Sequence, residues 1–324
     1  MLSPDQHCLQ RLFAAPLPPL FQGNLLQGRW WQGELLQGER TVARVSDGVI
    51  DFTFGADFWP KAQLRALDQH QSIANNWRGE WAHTLCSAAR QRLCELAMEA
   101  GGPILELAAG PGGGNLSPLL HHSPEATIIV NDLESRLLTR WQSWLSDNHL
   151  GSNVVFAAFD ACQMPLRDSQ IACISGVGAL GSLLGDNLQA LKECRRVLQP
   201  HGWLLLSEMV LTPMSLASLP DGLRSNWSNL AWLMGRGHQL LQQAGFCIRE
   251  HHVEAGRPLT LDQDGLAEEA AEYGLALAVD YHYLAAQSAE DDTEHRNRLT
   301  TTGGSCACDC TCAVLAQLSI SESC

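Results

Sequence analysis

The chain has 324 residues, 45% of them apolar, which suffices for one large α/β domain with appendages. Its formal charge of −14, with Lys and Arg scattered, offers no basic face to a phosphate backbone, so neither nucleic acid nor an anionic membrane is an expected partner. No stretch approaches the roughly 18 uninterrupted apolar residues of a membrane span. Residues 1–17 carry Asp5 and His7 where a secretory leader has a basic start and an apolar core, so a cytoplasmic location is expected.

Residues 21–40 repeat Gln-Gly at positions 22, 27, 32 and 37, a period of five that fits no helix face. Glycine at that frequency favours short strands and turns. Residues 41–54, TVARVSDGVIDFTF, continue as a strand, an Asp-Gly turn and a second apolar strand, so 18–54 reads as a small β module. A stretch with apolar residues at three- and four-residue spacing follows and stops at Gly101-Gly102-Pro103, as a helical region would.

Beyond Pro103, strand patterns at 104–109, 126–132, 154–160, 171–177, 202–209, 246–254 and 281–287 alternate with helical ones. Such alternation predicts an α/β fold with a doubly wound, mostly parallel, seven-stranded sheet. The last strand, reached by a longer detour, suits an antiparallel insertion at the sheet edge. Residues 288–304 are polar and aperiodic, which reads as a linker. The expected division is thus an N-terminal extension with the β module in 1–54, the α/β domain in 55–287, the linker in 288–304 and a Cys-rich disordered tail in 305–324.

The chemistry-bearing constellation begins where the first strand enters a glycine-rich turn, ILELAAGPGGGNLSPLL, with Glu106 in the strand and Gly110, Gly112, Gly113 and Gly114 at the helix entry. Glycines there let a ligand approach the backbone, and a helix amino terminus supplies free N–H groups. Asp132 closes the second strand about twenty residues on, where a carboxylate accepts ribose hydroxyls in this topology, and Asp160 closes the third at the same edge.

Taken in order, ILELAAGPGG, IIVNDLESRLL, FDACQMPL and ECRRVLQPHGWLLLSEM resemble the successive motifs of class I S-adenosylmethionine-dependent methyltransferases, over about residues 70–287. The resemblance implies a Rossmann-like fold and S-adenosylmethionine as cofactor; the apolar and aromatic content of residues 210–231 and 255–280 favours a small-molecule acceptor or a metalloid over a polymer. The resemblance places Glu106 and the Gly110/Gly112 loop at the methionine portion, Asp132 at the ribose, and Asp160 with Ala161 or Cys162 at the adenine. Ala108 stands where the family has its first glycine, which tightens the loop without excluding the cofactor. A dinucleotide oxidoreductase is the alternative, although the loop and the Asp160 motif fit its three-glycine fingerprint less well. VARVSDGVIDFTF is also similar to the end of the small zinc-ribbon-like domain that precedes some bacterial methyltransferases. Residues 18–54 contain no cysteine, so a related module has lost its zinc and is structural or substrate-facing.

No catalytic residue declares itself, because methyl transfer from a sulfonium needs mainly in-line positioning. His251, His252, Tyr281 and His282 lie in late strands and border a pocket only if they are more than ordinary strand residues. His121 and His122 read as surface. Trp77 and Trp81 either cover a sulfonium, as aromatic faces attract cations, or simply pack in the core. The segments 210–231 and 255–280 are the expected roof of the substrate pocket.

Twelve cysteines divide into seven dispersed from Cys8 to Cys247, which suit small core hydrophobes, and five in the last nineteen residues. Cys306, Cys308, Cys310 and Cys312 alternate strictly, and repeated Cys-x-Cys steps suit a soft metal or a metalloid: copper(I), zinc or arsenic(III). One expectation is a tail that collects such an ion, or a thiol, for methylation. The other is a tail that is itself modified, since Gly303-Gly304 before a Cys/Ser/Thr-rich end resembles the leader–core junction of ribosomally made peptides.

Overall fold

The computed structural model describes residues 33–37, 40–56, 58, 71–183, 186–259 and 266–288, all within one compact unit, Met1–Ser288. Residues 1–32 and 38–39, which hold most of the Gln-Gly stretch, the linker beyond Ser288 and the tail with Cys306, Cys308, Cys310 and Cys312 lie outside the described residues.

Seven strands correspond to the expected ones: β4 (Ile104–Glu106), β5 (Ile128–Asp132), β6 (Val154–Ala158), β7 (Ile171–Val177), β8 (Leu198–Leu211), β9 (Phe246–Pro258) and β10 (Ala278–Ser288). Strands β6, β5, β4, β7 and β8 lie side by side in parallel, so their carboxyl ends share one edge. β10 runs antiparallel between β8 and β9.

The N-terminal module does not stand apart from this sheet. β1 (Gly33–Gln37), β2 (Arg40–Ser46) and β3 (Val49–Asp51) form an antiparallel run, and β3 pairs in parallel with β6, so the described residues build one ten-stranded sheet in the order β1-β2-β3-β6-β5-β4-β7-β8-β10-β9. The Asp47-Gly48 turn between β2 and β3 has φ of 51° and 76°, the paired positive values of a tight hairpin. Its effect is to cover the edge of β6, which would otherwise present unpaired N–H and C=O groups.

Both faces of the sheet are covered, as near-continuous apolar strands require. On one face Leu105, Ile129, Ile174, Leu204 and Leu206 pack against α5 (Asn187–Val197) and α8 (Gly237–Gln243). On the other, Ile104, Ile128, Val130 and Leu205 meet α2 (Ala88–Glu99), α3 (Leu116–His122) and α4 (Ser135–Asp147). Ser87 separates α1 (Gln71–Cys86) from α2 and caps the latter, its Oγ accepting from Arg90 N at 3.1 Å.

The two expected roof segments meet in a third apolar cluster beyond the end of β8. Leu219, Leu223 and Trp227, from α6 (Pro213–Ser218), α7 (Asp221–Asn226) and the turn after them, pack with Ala270 of α9 (Leu266–Glu272), Leu277 and Val279. Glu269 of α9 accepts from Trp227 Nε1 at 2.7 Å and Asn226 Nδ2 at 3.1 Å, which ties one segment to the other. No helix among the described residues is long and apolar enough to cross a membrane.

Candidate functional site

β4 ends in the fully buried Glu106, and the chain then enters the glycine-rich loop. Glu106 Oε1 accepts from Asn115 N at 3.0 Å, whereas its buried Oε2 makes no hydrogen bond. Burial pushes this carboxyl up to about 7, against the pull of the Asn115 N–H, Ser175 and Arg90. A carboxyl group so placed shares its proton with the solvent near neutral pH and has an oxygen to offer a cationic ligand.

The four glycines divide by what they face. A Cβ on Gly114 would overlap Glu106 Oε1, and one on Gly113 would come within 2.7 Å of the buried Trp141 ring, so these two close the loop onto its own support. Nothing lies nearer than 3.9 Å to a Cβ on Gly110, or nearer than 3.5 Å to one on Gly112. The open side of the loop therefore falls at Gly110 and Gly112. Ala108 has φ of 47°, the left-handed conformation that glycine adopts without cost.

β5 braces the loop from the next strand. Gly110 N donates to Asp132 Oδ2 at 2.9 Å, and Glu134 N donates to Asp132 Oδ1 at 2.9 Å. Asp132 is 6% exposed, and burial raises its carboxyl above the ordinary range. Asn131, 2% exposed, accepts from Ala108 N at 3.3 Å and donates to the Phe159 carbonyl at 3.0 Å, so it links β4, β5 and the chain after β6. Trp141 of α4 donates to the Gly110 carbonyl at 3.1 Å.

The structure thus brings Glu106 and Asp132, at the ends of β4 and β5, together with Ala108 and Gly110 of the loop through hydrogen bonds, and Gly112 lies in the same turn. Asp160, Ala161 and Cys162 follow β6, tied to β5 by Phe159 N donating to the Asp132 carbonyl at 3.3 Å. Asp160 is exposed and folds its Oδ1 back onto Cys162 N at 2.8 Å. Burial and the neighbouring Asp160 hold the Cys162 thiol in its protonated form.

The other singled-out aromatics and histidines lie elsewhere. Trp77 is 8% exposed and packs at 4.9 Å from Trp144, while Trp81 stacks at 4.2 Å on the exposed His121. Both tryptophans are engaged in packing. His251 and His282 approach to 3.1 Å and gather His238 of α8 at 4.7 Å from His251, a cluster kept neutral by desolvation. Among the described residues no group of three His, Cys, Asp or Glu is placed to hold a metal ion.

Two further charged groups are not singled out in the sequence. Arg90 of α2 is 1% exposed beneath the loop, donating to the Gly114 carbonyl at 3.1 Å and Asn115 Oδ1 at 3.0 Å, with an ion pair to Glu80 of α1. Glu208 of β8, also 1% exposed, accepts from Leu180 N at 2.9 Å and Gly181 N at 3.2 Å, and burial raises its carboxyl to about 8. Their shared signal is a charged residue inside an amphipathic or apolar run.

Residues 107–206 match the family described as a methyltransferase domain. The ubiquinone/menaquinone biosynthesis C-methyltransferase of Hahella chejuensis is 30% identical over 111 residues, 34% of this chain and 44% of that protein. Its counterpart in Laribacter hongkongensis is 29% identical over 215 residues, 64% of this chain and 77% of that protein. The chain thus spans less than half of the first of these relatives. A solved phosphoethanolamine N-methyltransferase 2 of Haemonchus contortus, bound to S-adenosyl-L-methionine, superposes with a TM-score of 0.43 at 13% identity, over 62% of this chain and 53% of that one. Residues 107–206, which hold the glycine-rich loop and Asp132, are thus similar to a methyltransferase domain, whose cofactor the sequence motifs imply to be S-adenosylmethionine. The residues present fit that cofactor, which is cationic at its sulfonium and ammonium: the unbonded, buried Glu106 Oε2 beside an open glycine loop is the acceptor such a group needs.

Proposed function

We propose that the protein transfers a methyl group from S-adenosylmethionine to a small, largely apolar acceptor. Glu106 and the loop at Ala108, Gly110 and Gly112 hold the methionine portion, Asp132 accepts the ribose hydroxyls, and Asp160 with Ala161 and Cys162 borders the adenine. The observation that carries this reading is the pairing of Glu106 Oε2, buried without a hydrogen bond, with a loop whose open positions are glycines. The bound cofactor supplies an electrophilic methyl group on a sulfonium. The protein's part is to hold that group in line with a nucleophile and exclude water, for which no fixed acid or base is required.

For the acceptor, the apolar cluster of Leu219, Leu223, Trp227, Leu277 and Val279 at the strand carboxyl ends favours a compact apolar molecule, and the charge of −14 disfavours nucleic acid. The relatives named above belong to quinone biosynthesis, which is in keeping with such an acceptor. Cys306, Cys308, Cys310 and Cys312 give a second class, a metalloid or thiol collected by the tail, because alternating thiolates bind soft ions. A screen with methyl-labelled cofactor over quinone precursors, thiols, arsenite and the protein's own tail tests both. Label in a small apolar or thiophilic acceptor is the expected result, and label only in a structured RNA contradicts the reading. Intact mass spectrometry of the protein from its own cells decides the tail: a full-length chain with stoichiometric soft metal is expected, and a tail cut after Gly304 excludes the collector.

A further inference from the structure

We propose that Glu80 of α1 binds the ammonium of the cofactor's amino-acid portion, as the second of two carboxylates that flank the glycine-rich loop. This inference rests on the methyltransferase reading and deepens it. α1 lies against the loop through one face: Asn76 Nδ2 donates to the Pro111 carbonyl at 2.7 Å, and Glu80, four residues on, stands on the same side of the helix. Glu80 Oε1 lies 3.5 Å from where a Cβ on Gly112 would be, on the side of the loop that is open.

The rest of the carboxyl group is fixed from behind. Arg90 forms an ion pair with the buried Glu80 Oε2, which leaves Oε1 to face the loop. Arg90 is held in turn by the Gly114 carbonyl and Asn115, so the guanidinium and the loop move as one body. The Glu80 side chain keeps 25% of its surface exposed, which opens it to a ligand, whereas Glu106 is fully buried. Glu80 and Glu106 are close enough for the charge of Glu80 to raise the Glu106 carboxyl.

The charge balance points the same way. Around the loop stand the carboxyl groups of Glu80, Glu106 and Asp132 and the guanidinium of Arg90, while burial and the Arg90 charge disfavour a protonated His83. A ligand with a sulfonium, an ammonium and a single carboxylate complements an excess of negative charge.

The test is calorimetry on the full chain with two ligands, S-adenosylhomocysteine and 5′-methylthioadenosine, which share adenosine and a thioether but differ in the amino-acid portion. Glu80→Gln should weaken S-adenosylhomocysteine at least tenfold and leave 5′-methylthioadenosine within about twofold. Should Glu80→Gln fail to fold, Glu80→Asp is read alone and should lower the ratio of the two affinities by a smaller factor. An unchanged ratio overturns the proposal, whether both affinities hold or both fall together, because the second pattern is that of a residue that only shapes the loop. Failure of the natural chain to bind S-adenosylhomocysteine overturns the methyltransferase reading itself.

Discussion

Ala108 occupies a left-handed conformation, φ 47°, that costs an L-residue about 1–2 kcal/mol. Glycine relieves that strain but adds freedom to the unfolded chain, an opposing effect of about 0.4–1 kcal/mol. Ala108→Gly should therefore raise stability by up to about 1 kcal/mol in a urea titration, with cofactor affinity little changed. A loss of stability would mean that the Ala108 methyl makes a packing contribution larger than the strain. Asp132 carries a different load, since both oxygens already accept N–H groups and have a second lone pair for a ligand. Losing charge-assisted hydrogen bonds costs about 1.5–3 kcal/mol, so Asp132→Ala should bind S-adenosylhomocysteine roughly ten- to a hundredfold more weakly. Calorimetry showing parental affinity would remove Asp132 from the ribose. At this scale the sequence is legible where chemistry and local pattern coincide, as at Glu106, Gly110 and Asp132. It is silent on Glu80, Arg90 and Glu208, because each looks like an ordinary charged residue until distant elements are packed around it.

Among the elements, β8 and the turn after β7 are joined by Glu208, whose carboxyl burial lifts from an ordinary value near 4.5 to about 8. The folded protein thus holds a proton that the unfolded chain releases. Its contribution to stability is fully present below about 4.5 and is lost as the pH rises towards about 8. Glu208→Gln does not titrate, so its melting temperature relative to the natural chain should climb between those limits as the pH rises. His282 stands across from Glu208 on β10, and its own titration is common to both proteins, so it drops out of the difference. A pH-independent gap between the two melting curves would show that Glu208 is already ionised in the folded state. The same scale explains what was readable of the sheet. Strands β4 to β8 announce themselves by apolar runs between turn signals, and β2 and β3 by the Asp-Gly hairpin. The pairing of β3 with β6 joins residues about a hundred positions apart, and no local pattern encodes that contact.

For the whole molecule, the fold class and the methyltransferase-like motifs were legible because those motifs appear in order along the chain, the first three at the carboxyl ends of their strands. The acceptor was not, since the apolar side chains of α6, α7 and α9, proposed to roof its pocket, state a polarity but no identity. Cofactor binding should also be linked to protons: a cation placed against Glu106, which titrates near 7, favours its ionised form. The most direct measurement is therefore calorimetry of the full chain with S-adenosylhomocysteine and with NADH at pH 7, each in two buffers of different ionisation enthalpy. Binding of S-adenosylhomocysteine in preference to NADH, with release of up to about half a proton to the buffer, is the expected result. Preference for NADH with no heat from S-adenosylmethionine or S-adenosylhomocysteine would contradict the assignment of this loop to methyl transfer.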